Sequence, residues 1–257
     1  MALNKKQVEE IKQLLSEKIS SKLKNYTRET SSMPFLAKLM QDSEQVAAYS
    51  FIHSLATTLG MSIYEQVAKI IAKPNFDKVE IGYDVIGSIS DKENSAISKI
   101  MQELKNGSRK SDKTREIKEI LQNKSNSGRK LKIRADLFLQ KETKEFYIEI
   151  KTAKPNIDVF STSKQKLLEW VALRKRPIIT FLAIPYNPYH PEPYSRFTVQ
   201  DMLDEKEELF VAERFWDLLG GPGTYKEILG IFDEVGKEFR DKIQRKIKEV
   251  AKEKMEV

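Results

Sequence analysis

Asp136 and the triplet Glu149-Ile150-Lys151, thirteen positions further on, set two carboxylates and an ammonium into a stretch that is otherwise apolar and alternating. Two carboxylates on neighbouring strands suit a hard divalent cation such as Mg²⁺, with a backbone carbonyl (that of Ile150) and waters completing an octahedron. Such an ion acidifies a bound water and neutralises charge as a phosphodiester is attacked. On a strand, Lys151 points the same way as Glu149, so it would orient that water and stabilise negative charge at the scissile phosphate. Composition leads to the same chemistry by another route. The chain has no cysteine and only two histidines, His53 and His190. Thiolate metal sites and cysteine nucleophiles are therefore excluded, and a histidine-rich metal site or a Ser-His-Asp triad has almost nothing to be built from.

Glu-x-Lys by itself carries little. It recurs at Glu10–Lys12, Glu103–Lys105, Glu116–Lys118 and Glu142–Lys144. Those copies lie in polar helical or turn contexts where both charges are solvated. Only the Glu149 copy sits in an apolar run beside an Asp-bearing strand. The bland alternative is a cross-strand salt bridge on an exposed sheet face. Phe138 and Tyr147 on the expected face of Asp136 and Glu149 argue against free solvation.

The elements that must position these residues can be read from periodicity. "LKIRADLFLQ" and "FYIEIKT", joined by the polar "KETKE", read as two strands. Ile133, Ala135, Leu137 and Leu139 are expected on one face, with Arg134, Asp136 and Phe138 on the other; Phe146, Ile148 and Ile150 are expected opposite Tyr147, Glu149 and Lys151. A helix from about Thr162 to Arg174 and a buried strand in "PIITFLAIPYN" follow. Strand, strand, helix, strand around one core predicts an α/β fold with a mixed central sheet flanked by helices.

Upstream, Asn4 with Gln7 predicts a helix start, followed by Val8, Ile11, Leu15, Ile19 and Leu23 at helical spacing. A second helical pattern covers about Gln45 to Ala72, interrupted at Gly60. "KVEIGYDVIGSI" reads as a short strand with bends, and Asn106 to Lys130 as exposed loop around one short helix. From Tyr225 a long helix carries the stripe Ile228, Phe232, Val235, Phe239, Ile243, Ile247 and Val250. The chain is expected to be one domain: a helical part at 1–74, an α/β core at 75–200 and a helical part at 201–257.

Further candidates weigh less. Glu65, at the edge of the apolar side of its helix, would complete a metal site, bind a second ion, or be an ordinary helix glutamate. Lys164 and Lys166 would contact a phosphate or support the carboxylates, with Gln165 as a neutral donor; solvated helix positions are the alternative. Glu80 and Asp84 are weaker metal candidates. Arg174, Lys175 and Arg176 form a compact cation cluster suited to DNA phosphates. Asn187, His190 and Arg196, in a proline-rich loop, are candidates to read bases. A net charge of +7 fits a polyanionic partner without identifying it. The N-terminus lacks the apolar run of a signal peptide, and no stretch approaches about 18 uninterrupted apolar residues. No membrane association and a cytoplasmic location are the expectations.

These residues resemble the PD-(D/E)xK nuclease superfamily, with Ala135-Asp136 in place of the usual Pro-Asp. More narrowly, "HSLATTLGMSIYEQVAKIIA", "IRADLFL", "FYIEIKTAKPN", "PYNPY" and "FWDLLGGPGTYKEIL" resemble a TdeIII-type family of type II restriction endonucleases, over about residues 48–240. The resemblance implies Mg²⁺-dependent cleavage of double-stranded DNA at a short palindromic site, GGNCC-type in known members. It also implies a homodimer and a cognate DNA methyltransferase. Carried over by position, it makes Asp136 and Glu149 metal ligands, Lys151 the residue serving the water, and Glu65 the helix carboxylate. A structure-specific repair or junction nuclease of the same fold, or a basic DNA-binding protein without catalysis, are the competing readings.

Overall fold

Asn4 opens the first helix by the chemistry its position predicts. Its side-chain oxygen accepts from the Gln7 amide N–H at 2.9 Å, and the Gln7 side chain accepts in return from the Asn4 N–H at 2.9 Å. The computed structural model describes residues 2–26, 34–125, 127–152, 154–195 and 201–252. In chain order the elements are α1 (Lys5–Asn25), α2 (Pro34–Met40), α3 (Ser43–Thr58), a π-helical turn (Leu59–Ile63), α4 (Tyr64–Ala72), β1 (Lys78–Ile89), α5 (Asp91–Lys105), α6 (Lys113–Gln122), β2 (Arg129–Lys141), β3 (Lys144–Ile150), α7 (Ile157–Arg174), β4 (Ile179–Ile184), β5 (Leu209–Val211), α8 (Glu213–Gly220) and α9 (Thr224–Lys252). The interruption expected at Gly60 is the π turn, where one extra residue per turn lets the helix continue in a new phase. No helix among the described residues is long and apolar enough to cross a membrane.

Packing divides the chain into two compact units, residues 1–70 with 226–257, and residues 71–225. The first is helical. Tyr26, Ala47, Phe51 and Val250 form a buried cluster, with Leu23, Ile243 and Ile247 against it. Tyr26 meets Phe51 edge-on at 5.0 Å, a geometry that aromatic quadrupoles favour. This accounts for the C-terminal stripe as packing surface.

The second unit is a five-stranded sheet in the order β1-β2-β3-β4-β5, antiparallel across its first three strands and parallel from β3 to β5. The parallel pair β3–β4 needs a crossover, and α7 supplies it. Phe160, Leu167, Leu168, Trp170, Val171 and Leu173 of that helix pack in one cluster with Ile97, Ile100 and Leu104 of α5 and with the sheet. The polar segment 106–130 is only partly the exposed loop expected. Arg109, Lys113, Glu116 and Ile120 are buried: Arg109 pairs with Glu103 and Glu119, Lys113 donates to the Thr180 and Glu207 carbonyls, and Glu116 meets Lys164 of α7.

One feature of the sheet departs from simple alternation. Tyr83 lies across from Ala135, and Phe138 across from Glu80. Yet the rings of Tyr83 and Phe138 stack at 4.2 Å, with Lys78 over both. Cross-strand partners point to the same side. Ala135 and Phe138, three apart, therefore face the same layer, and the face expected to unite Ile133, Ala135, Leu137 and Leu139 is split. Ile133 and Ala135 join the α7 side with Phe138, whereas Leu137 and Leu139 point away. The change of phase falls at Asp136 and, on β1, at Gly82, whose φ of +64° is a conformation other residues enter only with strain.

Candidate active site

Asp136 sits where β2 breaks its alternation, and β3 delivers Glu149 and Lys151 beside it. The Asp136 Oδ2 accepts the Ile150 backbone N–H at 2.8 Å, which fixes that carboxylate against β3. Glu149 is 2% exposed, opposite Leu182 of the parallel strand β4. The Lys151 N–H donates to the Ala183 carbonyl at 3.0 Å, so β4 holds the backbone one residue past the end of β3. Side-chain direction and backbone anchoring thus come from the same ladder.

The electrostatics explain how a buried strand tolerates these charges. Lys151 Nζ lies 2.5 Å from Glu149 Oε1 and 3.8 Å from Asp136 Oδ2, so both carboxylates converge on one ammonium. Lys166 of α7 donates to the other Glu149 oxygen and rests 5.6 Å over the Trp170 ring. Two carboxylates therefore meet two ammoniums. Burial pushes the Asp136 carboxyl above the usual range, and the charge of Glu149 adds to this. The Ile150 N–H, Lys151 and Lys166 oppose them.

This donor set fits Mg²⁺, which is commonly held by one or two carboxylates with waters and substrate phosphate as its remaining ligands. Asp136 and Glu149 already converge on one cationic group, and the Ile150 carbonyl belongs to the residue between Glu149 and Lys151. Among the described residues no group of three or more acidic or histidine side chains is gathered into a metal cluster. Glu65 lies in the first turn of α4, in the helical unit. Glu80 pairs with Lys78 at 2.9 Å and Asp84 with Lys132 at 2.7 Å.

Several candidate DNA contacts are engaged elsewhere. Lys164 is a correction: it is fully buried, with Nζ 2.5 Å from Glu116 Oε2, 2.5 Å from Glu208 Oε2 and 2.8 Å from Ser111 Oγ. An ammonium enclosed in this way is not presented to a phosphate. Arg174 and Arg176 both reach Glu145, at 3.0 and 2.7 Å. Those guanidiniums and the Tyr147 hydroxyl hold the Glu145 carboxyl below the usual range despite the opposing effect of burial. Lys175 binds the buried Glu93, 2.5 Å from Oε2; Glu93 is also the capping-box partner of Ser90 at the start of α5. Gln165 is exposed and donates to Glu169 at 2.8 Å. Asn187 braces its own loop, donating to the Glu192 carbonyl at 2.8 Å and accepting from the Tyr189 N–H at 2.9 Å. His190 is exposed, and Arg196 lies outside the described residues. The sequence left Glu93, Glu145 and Glu208 unassigned and read Glu116 as solvated, whereas it is fully buried against Lys164. Each is an acid far along the chain from its cation, so no local spacing announces the pair.

Comparison with known proteins bears on the same residues. A family model described as "Type II restriction endonuclease, HinfI" matches residues 3–236. The type II restriction enzyme MjaII of Methanocaldococcus jannaschii is 32% identical over 213 residues, covering 75% of this chain and 56% of its own length. HgiCII of Herpetosiphon aurantiacus is 30% identical over 206 residues, covering 77% of this chain and 75% of its own. HgiEI of the same organism is 27% identical over 227 residues, with 85% and 82% covered. The chain thus spans little more than half of MjaII and about four-fifths of HgiEI. The sequence patterns resemble a TdeIII-type family; the family model that matches is HinfI, and both are type II restriction endonucleases. Its match takes in Asp136, Glu149 and Lys151 along with both units of the fold, and the chain belongs to the HinfI family of type II restriction endonucleases.

Proposed function

We propose that this chain hydrolyses phosphodiester bonds of double-stranded DNA at a short palindromic sequence, with Asp136, Glu149 and Lys151 as its catalytic residues. The observation that carries the reading is the convergence of both carboxylates on a single ammonium in a chain of this family. Asp136, Glu149 and the Ile150 carbonyl would hold Mg²⁺. When bound, the ion would supply charge neutralisation and a more acidic water. Lys151, anchored through its N–H to β4, orients the attacking water and stabilises negative charge on the phosphate. The water oxygen bonds to phosphorus, one backbone P–O bond breaks, and the departing oxygen takes a proton. Glu65 is carried over as a catalytic carboxylate by the family resemblance alone. Gln165, Asn187, His190, Arg196 and the half-exposed Arg176 stand as DNA contacts.

The proposed setting is cytoplasmic, with the whole chain acting as one nuclease domain. A cognate methyltransferase would protect host DNA. A GGNCC-type target rests on the TdeIII-type likeness alone, and sequencing the ends of digestion fragments reads the target directly. The test of the activity is a plasmid digest. Discrete fragments should form with Mg²⁺, vanish with EDTA, and vanish in Asp136→Ala, Glu149→Ala and Lys151→Ala while duplex binding persists. Full cleavage by any of the three variants would remove that residue from the active site.

A further inference from the structure

Beyond β3, the strands β1 and β2 continue as a two-stranded ribbon. β2 pairs with β3 only over Leu137–Lys141, but with β1 as far as Arg129↔Ile89. One face of the ribbon is covered: Val85, Ile89 and Ala135 are buried in the cluster under α5 and α7, with Leu131 and Ile133 packed against them. The other face is open. It consists of three cross-strand rungs, Ser88↔Lys130, Ile86↔Lys132 and Asp84↔Arg134. Ile86 is 67% exposed and the Lys132 side chain 64%, and Lys130 and Arg134 are exposed. Alternate residues of a strand are about 6.8 Å apart, so the cations form a line that ends two residues from Asp136.

From this geometry we infer that the outer face of the β1–β2 ribbon is a DNA-contacting surface, with Lys130, Lys132 and Arg134 on backbone phosphates next to the scissile one. The inference rests on the proposed nuclease activity. Charge complementarity selects the occupant. Three cations on this face meet one carboxylate, Asp84, and that is spent on Lys132 at 2.7 Å. A duplex carries one negative charge per about 1.7 Å of axis, and its major groove, about 12 Å wide, admits a two-stranded ribbon. The ribbon is also braced for the task. A Cβ at Gly87 would come within 2.8 Å of the Leu173 carbonyl oxygen, so this strand lies directly on the end of α7. The Arg134 guanidinium lies over Gly82, in the space a side chain there would fill, and Gly82 adjoins the rung beside Asp136. Arg174 and Lys175, by contrast, are mostly buried against Glu145 and Glu93. The ribbon supplies cations that are not so enclosed.

The test is equilibrium binding of short duplex DNA of arbitrary sequence, in Ca²⁺ or without metal, over a range of salt. For Lys130→Ala, Lys132→Ala and Arg134→Ala combined, the slope of log K against log salt should fall in magnitude by about 2.7, or roughly 0.9 per phosphate, with a loss of about 500-fold at ~0.1 M salt. Thermal unfolding should stay near wild type, because these side chains are exposed. Lys92→Ala with Lys99→Ala, which removes exposed charge from α5, should leave the slope within one unit of wild type. A triple variant with wild-type slope and affinity overturns the ribbon surface while leaving nuclease activity standing. A wild-type chain that binds no duplex at all overturns both.

Discussion

Glu149 shows how much one side chain's surroundings decide. Its two oxygens are divided between Lys151 and Lys166. Lys151 faces Asp136 as well, whereas Lys166 is steadied over Trp170. That division suggests different duties: Lys151 on the reacting phosphate, and Lys166 as the residue that holds Glu149 in place. Lys166→Gln should therefore lower kcat about 10- to 100-fold, the usual loss when a residue supporting a metal ligand is removed. Its metal-free DNA affinity and salt slope should stay at wild type, and Lys166→Arg should recover much of the rate. A slope reduced by about 0.9 would instead mark Lys166 as a phosphate contact. At this scale the sequence was informative where a strand's alternation exposes a pair: Asp136, Glu149 and Lys151 are brought together as their spacing predicts. It was uninformative where the partner comes from another element, as with Glu145 for Arg174 or Glu93 for Lys175.

The elements were legible wherever local chemistry sets them. Asn4 and Gln7 form the predicted capping box, the helix expected from about Thr162 begins slightly earlier at Ile157, and both strands around "KETKE" are present. The change of phase at Asp136 was not legible, because it depends on a positive φ at Gly82 on the neighbouring strand. Nor was the enclosed Lys164. That ammonium ties α7 to α6 through Glu116 and to the segment before β5 through Glu208 and is worth testing as a brace between elements. Lys164→Met leaves two buried carboxylates without their cation, which should cost about 3–5 kcal/mol in urea unfolding. Burial already pushes the Glu116 carboxyl upward, and Lys164 opposes that. Without Lys164 the folded-state value rises further above the unfolded one. Such a group favours folding below its unfolded pKa and loses that contribution as pH rises through the folded value. The deficit of Lys164→Met should accordingly be largest near neutral pH and shrink on acidification. A deficit independent of pH would mean that lost packing, not uncompensated charge, sets it.

For the whole molecule, the proposed palindromic target makes a definite demand. A twofold target is matched by a twofold protein. Sedimentation of the chain with duplex carrying its cleavage site should therefore give two chains per duplex; one chain per duplex, with both strands still cut, would exclude the dimer. The helical unit has surface available for self-association, since Phe35, Leu39, Tyr49 and Ile52 are largely exposed. Fold class was legible at this scale, since the order of strands and helix in residues 131–184 already calls for a mixed sheet. The joining of residues 1–70 with 226–257 in one unit was not, because two stripes at opposite ends of a chain say nothing of each other.

The phase change at Gly82 and Asp136 also bears on how such a protein could diversify. On the side of the proposed active site, the layer of Phe138, Tyr147 and Trp170 belongs to the core as well. On the far side, the residues facing out at Asp84, Ile86, Ser88, Lys130, Lys132 and Arg134 share no packing layer with it. Mutation at Ile86, Ser88, Lys130 and Lys132 can accumulate without touching the carboxylates beyond the break, whereas Arg134, over Gly82, stays tied to it. Relatives that share this break would be free to drift in what they grip while keeping how they cut.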